Sequence, residues 1–379
     1  MENLVLDSLE IRNFRGFKHL QIEHLRRVNL VVGKNNIGKS SLIEALQLYA
    51  HNGNPGLIWK MLQARDESRP YNSRREVLDY ESLLLELRYL FYGRKEIGRF
   101  VDPAIIGPIN SSDETLSIAV KWYTSQRGEE DLLKLRLLEL DEVDTVENPS
   151  PRLAIQTGKI SRNYLIRPRP DALGNDWELK VGCIAIAPNG LDREMVGVLW
   201  DGIALTGLEN DVVKAMRIIA PGVERLSIVG SLEAKERPIR SIDTRERRSI
   251  PIVKVADLDA PIALRSLGDG MQRVFGLALA LVNAKDGMLL IDEIENGLHF
   301  SVQPDIWRVI FRLAQRLNVQ VFATTHSLDC IRAFQEAAQE CSQEESLLIR
   351  LQNKQGETSS VLYDKEELAI VVQEQIEVR

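Results

Sequence analysis

Residues 28–49, VNLVVGKNNIGKSSLIEALQLY, leave this chain little freedom in what it can fold into. Val28, Leu30, Val31 and Val32 form the short apolar run of a buried strand, and Leu42, Ile43, Leu46, Leu48 and Tyr49 return at helical spacing. Between the two stands Gly33-x-x-x-x-Gly38-Lys39-Ser40. Glycines at those places let successive backbone N–H groups converge on phosphate oxygens at the positive end of the following helix. Lys39 is then placed to reach the β- and γ-phosphates, and the Ser40 hydroxyl to ligate Mg2+. Asn35, Asn36 and Ser41 complete the set expected around the bound phosphates. A glycine turn without a ligand is the plainer alternative; strand, spacing and helix together favour the phosphate loop.

Such a loop serves kinases, GTPases and ATPases alike, and the far end of the chain separates them. DGMLLIDEIENGLHF carries a buried-strand run, residues 288–291, that ends in Asp292 and Glu293. An acid at the carboxyl edge of a strand can hold a metal's hydration shell, and its neighbour can orient and deprotonate an attacking water. Asp292 is assigned to the metal and Glu293 to the water, although adjacent carboxylates are also common on solvated surfaces. RLNVQVFATTHSLDC gives a further buried strand, residues 319–323, followed by His326. The two strands are expected to be neighbours, which puts His326 where a doubly wound sheet binds ligands and favours a γ-phosphate contact over simple packing. SLGDGMQR, residues 266–273, opens an apolar helix with bare backbone: the Ser266 hydroxyl and the amides of Gly268 and Gly270 could form an anion site, or only a helix start.

Composition narrows the class. With 379 residues, 44% hydrophobic and 27% charged, the chain can bury a sizeable core and has no disordered or fibrous character. No apolar run has the length of a membrane span, and the N-terminus lacks a signal-like pattern, so a soluble, cytoplasmic protein with no membrane partner is expected. Cys183, Cys330 and Cys341 are far apart, without metal-ligand spacing, and read as packing residues in a reducing compartment. A net charge of −7 argues against a surface coated with nucleic acid, while leaving room for a local basic groove.

Gly33 to Ser40, Ser266 to Arg273, Asp292 with Glu293, and His326 together resemble an ABC-type ATPase head of the SMC, RecF and OLD kind. The opening LVLDSLEIRNFRGFKHLQI is similar to the first strand of those heads and its NFRGF turn, Asn13 to Phe17, and Asn35 matches their GxNxxGKS loop. SLGDGMQR, IDEIENGLH and the final QIEVR most resemble the stand-alone, OLD-like, AAA-labelled ATPases. The resemblance covers about residues 1–50 and 255–379. It implies an α/β, ABC-type P-loop fold with a mixed sheet core and an inserted β-rich plus helical subdomain. The expected ranges are 1–50 for the N-terminal lobe, 51–250 for the insertion and 251–379 for the C-terminal lobe.

The same resemblance implies that Ser266, Gly268 and Gly270 act in trans, on ATP held by the P-loop of a second copy in a head-to-tail homodimer. Asp269, repulsive to a triphosphate, is then expected to turn aside and cap the helix amides. Leu298 and His299 would touch the partner copy, and Glu295 would either support the metal or be solvated. A magnesium-sensing glutamine is expected between P-loop and signature, with Gln156 the one weak candidate.

Between residues 51 and 250 the sequence alternates strand-like segments with helices at about 76–91 and 209–220, and has no sustained heptads, which excludes a long coiled-coil arm. Arginines cluster at Arg65, Arg69, Arg74 and Arg75, at Arg162, Arg167 and Arg169, and at Arg240, Arg245, Arg247 and Arg248. They read first as surface ion pairs and second as a nucleic-acid groove. The chain's last fifty or so residues hold no DxD pair, so any nuclease, of Toprim or HNH type, is expected on a separate chain. The functional expectation is an ATP-hydrolysing dimeric switch in antiviral defence or DNA maintenance that controls such an effector. The alternatives are a RecF-like DNA-binding repair ATPase and, less favoured, the ATP-binding subunit of a transporter.

Overall fold

The computed structural model describes residues 4–69, 80–127, 133–139, 141–166, 178–230, 249–340 and 345–373. The chain opens with β1 (Leu9–Phe14), β2 (Phe17–Ile22) and β3 (Val28–Val32), then α1 (Lys39–Ala50), α2 (Pro55–Ala64) and α3 (Tyr80–Leu87). Strands β4 (Ala104–Gly107), β5 (Leu116–Arg127), β6 (Leu133–Leu137), β7 (Ser150–Thr157), β8 (Ile160–Leu165) and β9 (Cys183–Ile186) follow. Next come α4 (Arg193–Ile203), α5 (Leu208–Met216), β10 (Val223–Gly230), β11 (Ser249–Val255), β12 (Ile262–Ala263) and α6 (Asp269–Asn283). The chain continues through β13 (Met288–Ile291), α7 (Gln303–Arg316), β14 (Gln320–Thr324), α8 (Leu328–Gln339), β15 (Ser346–Lys354), β16 (Glu357–Tyr363) and α9 (Lys365–Gln373).

The central sheet has the order β16-β15-β3-β14-β13-β9, parallel except for β16. Its inner strands are covered on both faces, which is why they read as mostly apolar runs, with Asn29, Gln320 and Thr324 the buried polar exceptions. Successive side chains divide between two cores. Val28, Leu30, Val32, Leu289, Ile291, Val321 and Ala323 join a core shared with α4 to α8. Val31, Met288, Leu290 and Phe322 join the other, which α1, α2, α3 and the N-terminal sheet complete. The parallel register Ile291↔Ala323 brings the ends of β13 and β14 side by side, so the expected adjacency of the Asp292 and His326 strands is met.

A seven-stranded antiparallel sheet, β2-β1-β4-β5-β7-β8 with β6 on β5, lies over α1. Here the structure places residues that the 51–250 range set apart: β4 pairs with β1, so the inserted strands extend the sheet begun at the N-terminus. β9, from the same range, pairs with β13 in the central sheet. A third sheet, β10-β11-β12, stands with α4, α5 and α6 in the helical part. Among the described residues the longest helix is α6, of 15 residues, and no helix is long and apolar enough to cross a membrane.

Cys183 and Cys330 are free thiols pushed up to about 12 by burial, in keeping with packing roles. Cys341, Arg74, Arg75, Arg167, Arg169, Arg240, Arg245, Arg247, Arg248 and the QIEVR ending lie outside the described residues. Arg65 pairs with Glu44 at 2.8 Å, as the ion-pair reading of its cluster expects.

Candidate nucleotide site

The P-loop leaves the end of β3 through backbone that side chains would obstruct. Gly33 has φ 149°, and a Cβ there would lie 2.6 Å from the Leu351 carbonyl oxygen on β15. Gly38 has φ 111°, and its Cβ would lie 2.7 Å from the Phe17 ring, so the NFRGF turn closes directly onto the loop. The same turn holds α1 through Arg15, whose buried guanidinium meets Glu44 at 2.6 Å and Glu67 at 2.7 Å. Asn35 and Asn36 are exposed, with Asn36 at φ 63°; Ser40 is half-buried and Ser41 buried.

Gly38 is the N-cap of α1 and offers no side chain to the first amides of that helix. These free N–H groups and the helix dipole favour an anion. Lys39 Nζ donates to the carbonyl oxygens of Gly33, at 2.7 Å, and Lys34, at 3.1 Å. Burial lowers its pKa, and Asp292, Glu293 and Glu295 pull the other way, so three carboxylates face this ammonium.

Those acids sit on the loop after β13, and β14 orders them. The Thr324 hydroxyl donates to Asp292 Oδ1 at 2.5 Å and accepts the Glu293 N–H at 2.8 Å. Thr324 is fully buried, which fixes both contacts. Glu293 has φ 50°, a left-handed turn that redirects its carboxylate, and Asn296 Nδ2 donates to its Oε2 at 2.7 Å. Glu295 is not the solvated acid that the sequence left open: its side chain is 9% exposed, and its Oε1 accepts the His326 N–H at 3.0 Å. His326 lies just beyond β14 with a half-exposed ring.

The signature segment forms a short 3-10 turn, Leu264–Leu267, and then α6. Ser266, Gly268 and Asp269 are exposed. Gly268 is the N-cap, at φ 94°, with open space where a Cβ would stand. Gly270 is bare for another reason, because a Cβ there would lie 3.0 Å from the Gly297 carbonyl oxygen, at the Leu298–His299 loop. The expected cap by Asp269 is absent. With Gly268 at the cap position, Asp269 is the first helical residue, from which a carboxylate does not fold back onto the following amides. Its nearest side-chain partner is Gln272 Nε2, at 3.4 Å, while its charge still complements the helix dipole. A cavity of about 550 Å3 beside this helix start is lined by Asn189, Arg265, Asp269, Gln272 and Asn296, among others, and by no residue of the P-loop. Gln156 lies on β7 and donates to the Gly158 carbonyl within its own hairpin, at 2.9 Å, which answers its candidacy with a local role.

Arg273 joins the signature helix to the acids, and sequence reasoning gave it no role. Nη1 donates to the carbonyl oxygens of Ala187, at 3.1 Å, and Pro188, at 3.5 Å; Nη2 donates to those of Asp292, at 3.2 Å, and Glu293, at 2.7 Å. Burial lowers its pKa while Glu295, Asp292 and Glu293 oppose that shift. The available signal was an arginine inside a helix apolar all round, which must find internal partners. Arg273→Met keeps most of the stem and orphans these carbonyls. It is expected to cost about 3 kcal/mol in urea unfolding, and to lower ATP turnover more than ATP affinity.

The comparisons with known proteins fit this arrangement. A family model described as "AAA ATPase domain" matches residues 5–142, and one described as "AAA domain, putative AbiEii toxin, Type IV TA system" matches residues 194–329. A Helicobacter pylori "ATP/GTP phosphatase" is 25% identical over 363 residues, 89% of each chain. The "DNA replication and repair protein RecF" of Listeria monocytogenes is 32% identical over 71 residues, 17% of this chain and 19% of that one. Over these stretches the chain is similar to AAA-type ATPases and to RecF. Among solved structures, an SMC head bound to the C-winged helix domain of ScpA covers 96% of this ATPase and 99% of its own chain, at 12% identity and a TM-score of 0.49. The SMC head of Thermotoga maritima covers 94% and 98%, at 14% identity and a TM-score of 0.42.

Proposed function

We propose that this ATPase is a nucleotide-gated switch. Two copies clamp ATP between the P-loop of one and the signature of the other, and the clamped state controls a separately encoded effector. The single observation that carries this reading is the start of α6: an exposed, uncapped helix end at Gly268, with open space above it and no P-loop residue in the adjoining cavity. An anion site left open in its own chain suits a phosphate brought by another.

The residues divide the chemistry between them. Lys39 and the first amides of α1 bind the β- and γ-phosphates. The Ser40 hydroxyl and the Asp292 carboxylate form a hard oxygen pair that fits Mg2+, and Thr324 occupies only one Asp292 oxygen. The ion, when bound, neutralises charge on the phosphate oxygens. Glu293 orients the attacking water and takes its proton, and His326 contacts the γ-phosphate. Ser266, Gly268 and Gly270 complete the site from the second copy. Likeness to a putative AbiEii toxin AAA domain and to RecF supports antiviral defence or DNA maintenance as the setting, and the effector proposed is a Toprim or HNH nuclease.

Complementation tests the clamp. A Lys39→Ala chain mixed with a Ser266→Arg chain forms heterodimers in which one composite site retains both intact halves. Each variant alone is expected to be inactive, and the heterodimer, with one of its two composite sites intact, to recover about half of the wild-type turnover per dimer. A proven heterodimer that hydrolyses nothing would rule out action in trans.

A second reading, a RecF-like DNA clamp, draws support from the 71-residue match to RecF. It requires that DNA stimulate hydrolysis and that neutralising Arg245, Arg247 and Arg248 remove the stimulation.

A further inference from the structure

Three hydrogen bonds fix the backbone at Glu293. Its N–H reaches the Thr324 hydroxyl at 2.8 Å, and its carbonyl oxygen accepts from Arg273 Nη2 at 2.7 Å and from the Asn296 N–H at 3.1 Å. The side chain is a separate matter, because three rotatable bonds stand between that backbone and the carboxylate, and ordering them costs entropy. Among the described residues, one side chain donates to the carboxylate: Asn296, whose Nδ2 lies 2.7 Å from Oε2.

Asn296 is suited to that hold. Its Nδ2 also faces the Pro188 carbonyl oxygen at 3.4 Å, so both neighbours are acceptors, and a flipped amide would set an oxygen against them. Its own backbone is fixed from both directions. The N–H closes the turn onto Glu293, and Gly297, at φ 76°, follows with its carbonyl oxygen 3.0 Å from where a Gly270 Cβ would stand on α6. A supporting group that is itself held can hold another. A carboxamide is neither acid nor base near neutral pH, so it restrains the carboxylate without competing for a proton. The bond occupies Oε2 and leaves Oε1 for another partner, on a carboxylate whose charge the Lys39 ammonium feels. Asn296 itself borders the cavity beside α6, which no P-loop residue lines, and so stands apart from the nucleotide phosphates.

We propose that Asn296 is the positioning residue for Glu293: it holds Oε2, so that Oε1 is the oxygen offered to the attacking water. Loss of this donor slows the chemical step and leaves ATP binding alone. The proposal rests on Glu293 acting as the base, as read above.

Two measurements on the full chain test it. The first reads the contact without nucleotide. With 15N-asparagine labelling, the side-chain NH2 signal of Asn296 is assigned by its absence in Asn296→Ala, and it is expected to shift in Glu293→Gln, where the acceptor loses its charge. A signal indifferent to Glu293→Gln overturns the proposal. The second measures kcat and KM for ATP. Asn296→Ala is expected to lower kcat about ten- to a hundredfold, the cost of a misplaced reacting group, with KM changed less than about twofold. Asn296→Asp is isosteric, has no donor and repels Glu293, so it should lose at least as much, and it decides the matter if the alanine variant folds poorly. A double-mutant cycle separates positioning from a general structural role. In a Glu293→Gln background, Asn296→Ala should lower the residual rate less than about twofold, because the base it positions is gone. An equal loss in both backgrounds, a change confined to KM, or unchanged kcat in the Asn296 variants overturns the positioning. Glu293→Gln alone reports on the reading beneath it. Wild-type turnover in that variant removes the base and the positioning together, whereas a slow Glu293→Gln beside normal Asn296 variants removes only the positioning.

Discussion

Lys39→Ala is expected to weaken ATP binding by about a hundredfold or more, the loss of roughly 3 kcal/mol from charge-assisted hydrogen bonds to phosphate. Without ligand, the Lys39 ammonium rests on two carbonyl oxygens of its own loop, Gly33 and Lys34. Neutral carbonyls balance a half-buried cation poorly, and burial accordingly lowers its pKa. A triphosphate would provide the compensating charge at the same place. Removing the ammonium also leaves Asp292, Glu293 and Glu295 facing the ligand with less opposing charge, so repulsion adds to the lost attraction. Titration calorimetry with Mg2+ and ATP checks this. Because Lys39 makes only loop contacts, the fold should survive, and the urea midpoint should stay within experimental scatter. Wild-type affinity in this variant would sink the P-loop assignment.

What the sequence made legible is what local chemistry determines. The P-loop, the acids after β13 and the histidine after β14 each sit at the end of an apolar run, and the parallel ladder β13–β14–β3 follows from runs buried on both faces. Contacts decided by distant segments stayed hidden. Nothing near residue 104 announces that β4 will pair with β1, or near residue 183 that β9 will pair with β13. Gly270 is bare because Gly297 approaches it, a reason 27 positions away along the chain. Glu295 looked equally suited to solvent or metal until His326 was placed against it. Asp269 failed as a cap for a local reason that residue type alone does not reveal: Gly268, at φ 94°, already occupies the cap position. Arg273 combines both kinds of difficulty, since its burial could be suspected from the apolar helix around it, but the four carbonyls it binds come from two distant loops.

Glu293→Gln separates binding from hydrolysis. The carboxamide is isosteric and its oxygen can still accept from Asn296 Nδ2, while the backbone remains pinned by the Glu293 N–H to Thr324. The left-handed turn at φ 50° is therefore expected to persist, and Asp292 to keep its contact with Thr324. What disappears is the proton acceptor proposed for the attacking water, worth about 10^2 to 10^4 in rate for a general base. Turnover should fall by that factor with ATP affinity nearly unchanged, and nucleotide should accumulate unhydrolysed. In the proposed clamp, a site that holds ATP and cannot cleave it keeps the two copies together, so the variant should elute as a dimer with ATP and as a monomer without it, measured by size exclusion with light scattering. A variant that stays monomeric at saturating ATP contradicts the clamp even if its turnover is lost. One that dimerises but hydrolyses at the wild-type rate removes Glu293 from the chemistry and leaves the clamp standing.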